Sequence, residues 1–208
     1  MEKPEIRKTG TTTVGMVCKE GVILAAEKKS TMGYLVASKE TEKIHELDEK
    51  IAMTIAGSSG DAQALVRYMK AELNLFSIQN QRKLSVKGAA TLLSNLLHNG
   101  RWTFMPYMVQ LIIAGYDEEG GHIFSLDAIG ASEEESKFFS TGSGSPFALG
   151  VLEDNFKEGI DMDEGARLAV RAIRAAVERD IASGGKGIDV VKITETGIEK
   201  ESFPMKSE

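Results

Sequence analysis

Gly10-Thr11-Thr12-Thr13-Val14-Gly15-Met16-Val17, followed after Cys18-Lys19-Glu20-Gly21 by Val22-Ile23-Leu24-Ala25-Ala26, is the stretch on which the fold turns. The β-branched run Thr11–Val17 predicts a strand, and Lys19-Glu20-Gly21 reads as a turn. The run from Val22 is apolar at every position, without the alternation of a half-solvated strand. It predicts a strand buried on both faces. Ile51-Ala52-Met53-Thr54-Ile55-Ala56 predicts a third strand, stopped by Gly57.

The period then changes. Leu65, Met69, Leu73 and Phe76 recur at helical spacing, with Ser59 or Asp61 as the capping residue. Val86, Ala89, Ala90, Leu93 and Leu97 form a second stripe starting near Ser85. Strands return at 108–114 and 122–126, around a turn holding Gly120-Gly121. A helix is expected from Ser145-Pro146, because proline suits a first helical turn. Another is expected from Asp161, with Glu164 as its capping-box partner. Its stripe is Ala166, Ala169, Val170, Ile173 and Val177, and Gly184-Gly185 is expected to end it. Ile188–Ile193 reads as the last strand. Strands and helices come in runs, which predicts an α+β fold with antiparallel pairing. Two packed sheets with a helix pair outside each satisfy the pattern.

Composition narrows the function. In the 208-residue chain, 42% of residues are hydrophobic and 27% charged, which is globular rather than disordered composition. A net charge of −6 argues against a nucleic-acid partner, since neutralising phosphates needs clustered Lys and Arg. The single cysteine, Cys18, excludes an intrachain disulfide framework and a cysteine-based zinc site. His45, His98 and His122 share no ligand spacing, so no metal is expected. No apolar run approaches the ~20 residues of a membrane span, and the first residues lack the apolar core of a signal peptide. The expected compartment is the cytoplasm.

The threonines at the head of the first strand admit two readings. One is a Thr-rich buried strand. The other requires a cut between Gly10 and Thr11, which leaves Thr11 with a free α-amine beside its own hydroxyl. An α-amine with a pKa of ~7.7–8.0 is partly basic at neutral pH. It can take the hydroxyl proton, directly or through water, and make the oxygen nucleophilic. Gly57-Ser58-Ser59-Gly60 looks at first like a phosphate cradle, but it lacks the P-loop lysine and GxGxxG. Gly142-Ser143-Gly144 is not a nucleophile elbow, since G-x-S-x-G fails around Ser143 and around Ser59.

Four motifs in order carry a resemblance: Gly10–Gly15, Met53-Thr54-Ile55-Ala56-Gly57-Ser58-Ser59-Gly60-Asp61-Ala62-Gln63, Ser140-Thr141-Gly142-Ser143-Gly144-Ser145-Pro146, and Arg179-Asp180-Ile181-Ala182-Ser183-Gly184-Gly185. Over nearly all of residues 11–194 the chain resembles the β subunits of archaeal 20S proteasomes. The resemblance implies an N-terminal-nucleophile hydrolase with a four-layer αββα sandwich and antiparallel sheets. It implies a propeptide, residues 1–10, and a single catalytic domain, residues 11–208. It also implies a threonine endopeptidase with no cofactor. The expected assembly is a homo-oligomeric seven-membered ring of β subunits, stacked between α-subunit rings and served by an unfolding ATPase. Unfolded polypeptide is the expected substrate.

Residue by residue, the resemblance makes Thr11 the nucleophile and Gly10 the residue before the self-cleavage point. Lys43 becomes the active-site lysine, although its run Lys39-Glu40-Thr41-Glu42-Lys43 reads as surface. Its positive charge would ease ionisation of the Thr11 hydroxyl. Glu27 becomes its acidic partner, where many relatives carry Asp. Asp180 and Ser183 form the remaining pair. The helical stripe puts Asp180 on the buried face of its helix, near a C-terminus where the dipole disfavours it. Ser143 matches a serine close to the Thr11 amine, though it also reads as a helix cap before Pro146. The Gly57 N–H matches the oxyanion donor. Ser30, Thr41, His45, Ile55 and Ser59 match the substrate pocket, which has one apolar wall and no charge selector. This suggests cleavage after apolar side chains. Non-catalytic ring subunits, small-molecule amidases and the bacterial hexameric relatives are alternatives. The presence of Thr11, Lys43, Asp180 and Ser183 argues against the first, the whole-length match against the second, and the Thr11–Gly15 start with the Gly142–Pro146 segment against the third.

Overall fold

The computed structural model describes residues 10–100 and 107–205. Residues 1–9 of the expected propeptide lie outside that range. The chain opens with β1 (Thr13–Cys18) and β2 (Gly21–Glu27), then a small hairpin of β3 (Ser30–Met32) and β4 (Leu35–Ser38). β5 (Ile44–Asp48) and β6 (Ile51–Gly57) lead into α1 (Ser59–Asn80) and α2 (Val86–Gly100). β7 (Val109–Asp117), β8 (Gly120–Leu126), β9 (Ser132–Glu135) and β10 (Phe138–Thr141) follow. α3 (Ser145–Asn155), α4 (Met162–Val177), β11 (Gly187–Thr194) and β12 (Gly197–Pro204) complete it.

Two five-stranded antiparallel sheets result, ordered β10-β1-β2-β11-β12 and β5-β6-β7-β8-β9. Three apolar clusters lie in the three gaps between four layers. Leu65, Met69, Leu73, Val86 and Leu93 of α1 and α2 pack on Met53, Ile55, Leu111 and Ile113 of the second sheet. Leu152, Ala169 and Ile173 of α3 and α4 pack on Val14, Met16, Ile23 and Val190 of the first. Val22, Leu24, Ala52, Ile112 and Val191 fill the space between the sheets. The unbroken apolar run in β2 is thus explained. Ile23 and Ala25 face the helices, while Val22, Leu24 and Ala26 face the other sheet. The layers are the expected αββα sandwich.

Local chemistry sets the helix ends. Asp161 caps α4 by accepting the Glu164 N–H at 2.7 Å, and Pro146 sits in the first turn of α3. The cap of α1 is Ser58, which accepts the Asp61 N–H, rather than Ser59 or Asp61. α4 stops at Val177, well before Gly184-Gly185, because Glu178 and Arg179 form a turn. The β7–β8 turn is Glu118-Glu119, and Gly120 already belongs to β8. β3, β4, β5, β9, β10 and β12 escape the sequence reading. β9 is Ser-Glu-Glu-Glu and β12 is largely polar. Both lie at sheet edges, where backbone pairing suffices and no apolar alternation is needed. β12, not the 188–193 run, is the last strand. Among the described residues, no helix is long and apolar enough to cross a membrane.

Candidate active site

The strand alternation of β1 sorts the three threonines. Thr12 points towards the α4 side, where its hydroxyl lies 2.7 Å from Ser183 Oγ. Thr11 and Thr13 point the other way. Thr11 meets Lys43, which stands just before β5 of the second sheet, and Lys43 Nζ donates to Thr11 Oγ1 at 2.9 Å. Thr11 Oγ1 in turn donates to the Gly10 carbonyl at 2.6 Å. Lys43 is therefore buried, against its surface-like sequence context.

Glu27, at the end of β2, is fully buried and pairs with Lys43. Its Oε1 accepts from Lys43 Nζ and from the Thr12 N–H at 3.3 Å. Its Oε2 accepts from the backbone N–H groups of Lys29 at 2.6 Å and Gly184 at 2.9 Å. All four neighbours are donors, so the acceptor-only carboxylate fits where a protonated acid would not. Burial pushes the Glu27 carboxyl up, and the Lys43 charge opposes that rise. Burial pushes the Lys43 ammonium down, against the pull of Glu27. The ammonium supplies a desolvated positive charge beside the Thr11 oxygen.

A second polar chain reaches Thr11 from the other side. The Thr11 N–H donates to Ser143 Oγ at 3.3 Å. The Ser143 and Ser183 hydroxyls both donate to Asp180 Oδ2 at 2.6 Å. Asp180 sits in the turn after α4 rather than on a buried helical face, and its Oδ1 accepts the Ala182 N–H at 3.2 Å. The cap of α3 is Gly144, so Ser143 is free to serve this chain instead.

Gly57 closes β6 with φ +128°. A Cβ there would fall 2.1 Å from the Met108 carbonyl oxygen, so only glycine fits. The Ile55 N–H donates to the Lys43 carbonyl at 3.0 Å. Residues two apart on a strand present their N–H groups to the same side, so the Gly57 N–H faces that edge too, beyond the head of β5. Ser30, Thr41, His45, Ile55 and Ser59 all line one cavity of about 80 Å³ together with Thr11, Lys43 and Gly57. Thr31, Glu42, Ala62 and Gln63 line it as well. Ala62 and Gln63 belong to the motif that follows Gly57, whereas Thr31 and Glu42 carry no sequence signal. Burial holds His45 below the usual imidazole range, so its ring is neutral at pH 7.

Gly10 is buried with its N–H 3.4 Å from Thr31 Oγ1. A Cβ at Gly10 would fall 1.6 Å from the Ala182 Cβ. Every residue expected at the site therefore gathers around Thr11, from both sheets and from the turn after α4.

Four layers, with antiparallel sheets inside and helix pairs outside, are those of the N-terminal-nucleophile hydrolases. The family model described as proteasome subunit matches residues 7–193. The proteasome subunit beta of Ferroglobus placidus is 55% identical over 186 residues, covering 89% of this chain and 87% of its own. That of Methanohalophilus mahii is 54% identical over 191 residues, covering 92% and 90%. That of Archaeoglobus fulgidus is 55% identical over 186 residues, covering 89% and 86%. The chain belongs to the proteasome family and falls with its β subunits.

Proposed function

We propose that this β chain is the catalytic subunit of a 20S core particle and a threonine-type endopeptidase. On this reading, Thr11 becomes the nucleophile after residues 1–10 are removed. The observation that carries the reading is the Lys43 ammonium, buried against Glu27 and donating to Thr11 Oγ1 at 2.9 Å. A lysine desolvated there without chemical use would be a costly way to hold two strands together.

In the uncut chain the Thr11 nitrogen is an amide and cannot accept a proton. Attack of Thr11 Oγ1 on the Gly10 carbonyl carbon forms a C–O bond. Collapse of the tetrahedral adduct breaks the Gly10–Thr11 C–N bond, the hydroxyl proton passes through water to the departing nitrogen, and an ester and a free amine result. Water hydrolyses that ester and releases residues 1–10. In the mature chain the amine takes the hydroxyl proton, directly or through water. Thr11 Oγ1 adds to the scissile carbonyl of a bound polypeptide, and the Gly57 N–H receives the developing oxyanion. Collapse of the tetrahedral intermediate breaks the C–N bond, and the departing amine carries away the proton. Water then hydrolyses the acyl ester and restores Thr11. Asp180, Ser143 and Ser183 hold the amine in place.

Ser30, Thr41, His45, Ile55 and Ser59 would receive the side chain before the cut. Neutral His45 and apolar Ile55 favour an apolar one. The particle would stack homo-oligomeric seven-membered β rings between α rings in the cytoplasm. An unfolding ATPase would feed it unfolded polypeptide for cutting into short peptides. Thr11→Ala tests the reading: assembly should persist while peptide turnover falls by at least about 1,000-fold. Intact-mass measurement of wild-type particles should find a chain beginning at Thr11. Active particles beginning elsewhere would overturn it.

A further inference from the structure

The candidate site is assembled from two sheets. Thr11 and Glu27 come with β1 and β2 of the first, while Lys43 and Gly57 come with β5 and β6 of the second. The gap between attacking oxygen and oxyanion donor therefore depends on how the sheets are set against each other. Most of the filling between them is aliphatic: Val22, Leu24, Ile44, Ile112 and Val191. Such contacts are non-directional and do not fix a position along the interface.

Three buried hydroxyls that the mechanism does not use lie in the same layer. Thr54 of β6 donates across the gap to Thr13 Oγ1 at 3.2 Å. Thr13 lies 2.6 Å from Thr141 Oγ1, its cross-strand partner on β10. Thr13 Oγ1 accepts from Thr54, and with one proton and a second lone pair left it can hold the bond to Thr141 as well, so it links the two strands. The Thr13 carbonyl also accepts from Ser140 Oγ at 2.7 Å. Thr54 stands three residues before Gly57 on one strand, and Thr13 two residues after Thr11 on the other. The Lys43–Glu27 pair also crosses between the sheets, but it anchors the head of β5 rather than β6. A buried hydroxyl is costly to leave without a partner, and its bond is directional.

We propose that the Thr54–Thr13–Thr141 chain sets the two sheets in register and so places the Gly57 N–H relative to Thr11 Oγ1, making Thr54 a positioning residue for the peptidase reaction. This rests on the reading of Thr11 as nucleophile. The test uses full-length chains assembled with their partner subunits and a fluorogenic peptide.

Thr54→Val keeps the shape and removes the hydroxyl. It should lower kcat about tenfold and leave KM within about twofold, since misplacement penalises the transition state rather than ground-state binding. Thr54→Ser, which keeps the hydroxyl and loses the methyl, should restore at least half of kcat. Wild-type kcat in Thr54→Val would overturn the proposal. So would a loss confined to KM, or a Thr54→Ser variant as slow as Thr54→Val. If Thr54→Val does not assemble, Thr54→Ser and Thr54→Ala carry the same comparison, and equal kcat in those two overturns it. Thr11→Ala, run alongside, separates the two claims. Turnover retained there sinks the nucleophile reading, while a silent Thr54→Val beside a dead Thr11→Ala sinks only the positioning role.

Discussion

Lys43 and Lys83 sit at opposite ends of the β5–β6 ladder, and each holds a carboxylate. Lys83 lies 2.6 Å from Asp48 with its side chain 52% exposed. Its hydrogen bond to Asp48 raises its pKa, because the charged form gains a partner and loses little water. Lys43 is 6% exposed, and burial drives its pKa the other way. The surroundings also differ. Lys83 lines an acidic groove of about 810 Å³ with Asp117, Glu119 and His122, while Lys43 lines a cavity of about 80 Å³. The larger hollow leaves its charges in water, where they interact weakly. The smaller one strips a charge of water and sets it against a hydroxyl. Desolvation beside the Thr11 hydroxyl, not volume, is what sets the smaller site apart.

The largest effects should fall on Lys43. Lys43→Ala should abolish both self-cleavage and peptide turnover, since on the proposed mechanism both use the same activated Thr11 oxygen. It also leaves the Glu27 carboxylate buried without its counter-ion, a cost of about 3–5 kcal/mol, readable by denaturant unfolding. Lys43→Arg should not rescue, because a planar guanidinium cannot replace a compact ammonium between Thr11 and Glu27. Near-normal turnover in Lys43→Arg would break the comparison at its catalytic end.

Gly10→Ala should come next. The added Cβ meets Ala182, 1.6 Å from its Cβ and 2.7 Å from its Cα. The turn that carries Asp180 must then shift, so maturation should slow markedly, as followed by intact mass. Ala182→Gly on top of Gly10→Ala should recover part of the rate. On the proposed maturation residue 10 leaves with the cut, so matured particles should turn over peptide like wild type. A lasting defect in matured particles would mean that the substitution acts on something other than the precursor.

These effects show which parts of the site the sequence could reveal. The helical stripes, the doubly buried β2 and the Asp161 cap follow from periodicity, because burial there needs only apolar side chains at the right spacing. Lys43 could not be read that way. Its neighbours Glu40 and Glu42 are charged and exposed, and it turns inward towards the carboxylate of Glu27, far away in sequence. The resemblance points to Lys43 where spacing does not. Extending the stripe past Val177 places Asp180 on a helical face. The turn at Glu178-Arg179 breaks that period and aims the carboxylate at Ser143 and Ser183 instead. Glu27 stands where many relatives carry Asp, and its carboxylate reaches Lys43 and three backbone N–H groups.

At the other end of the ladder, Lys83→Ala should cost no more than about 1 kcal/mol and leave turnover unchanged. Its ion pair should weaken further in high salt, whereas the Lys43–Glu27 pair should be nearly insensitive to salt because no counter-ion reaches it. Comparable losses in the two alanine variants would erase the contrast.

Cys18 supplies the smallest effect and a third case, an ionisable group that is buried without any cation. Its thiol packs at the α4 side of β1, where a Cβ on Gly165 would lie 2.8 Å from Sγ. Burial first, and then the negative charges of Glu20 and Asp161, push it from 9.0 to about 12. The native thiol is therefore almost wholly protonated at pH 8.5, whereas the unfolded thiol is partly ionised. Since the thiolate is the reactive form, native Cys18 should alkylate on the order of 1,000-fold more slowly than in denaturant. The raised value also has a sign for stability. Above pH 9 the unfolded chain gives up the thiol proton while the native chain keeps it, so the unfolded state binds fewer protons and stability falls as pH rises towards 12. Cys18→Ala should remove that component of the alkaline decline and leave turnover intact. A native thiol that alkylates readily at pH 8.5 would show that water or a cation reaches it. Burial without a partner would then not be what separates this site from the Lys43 corner.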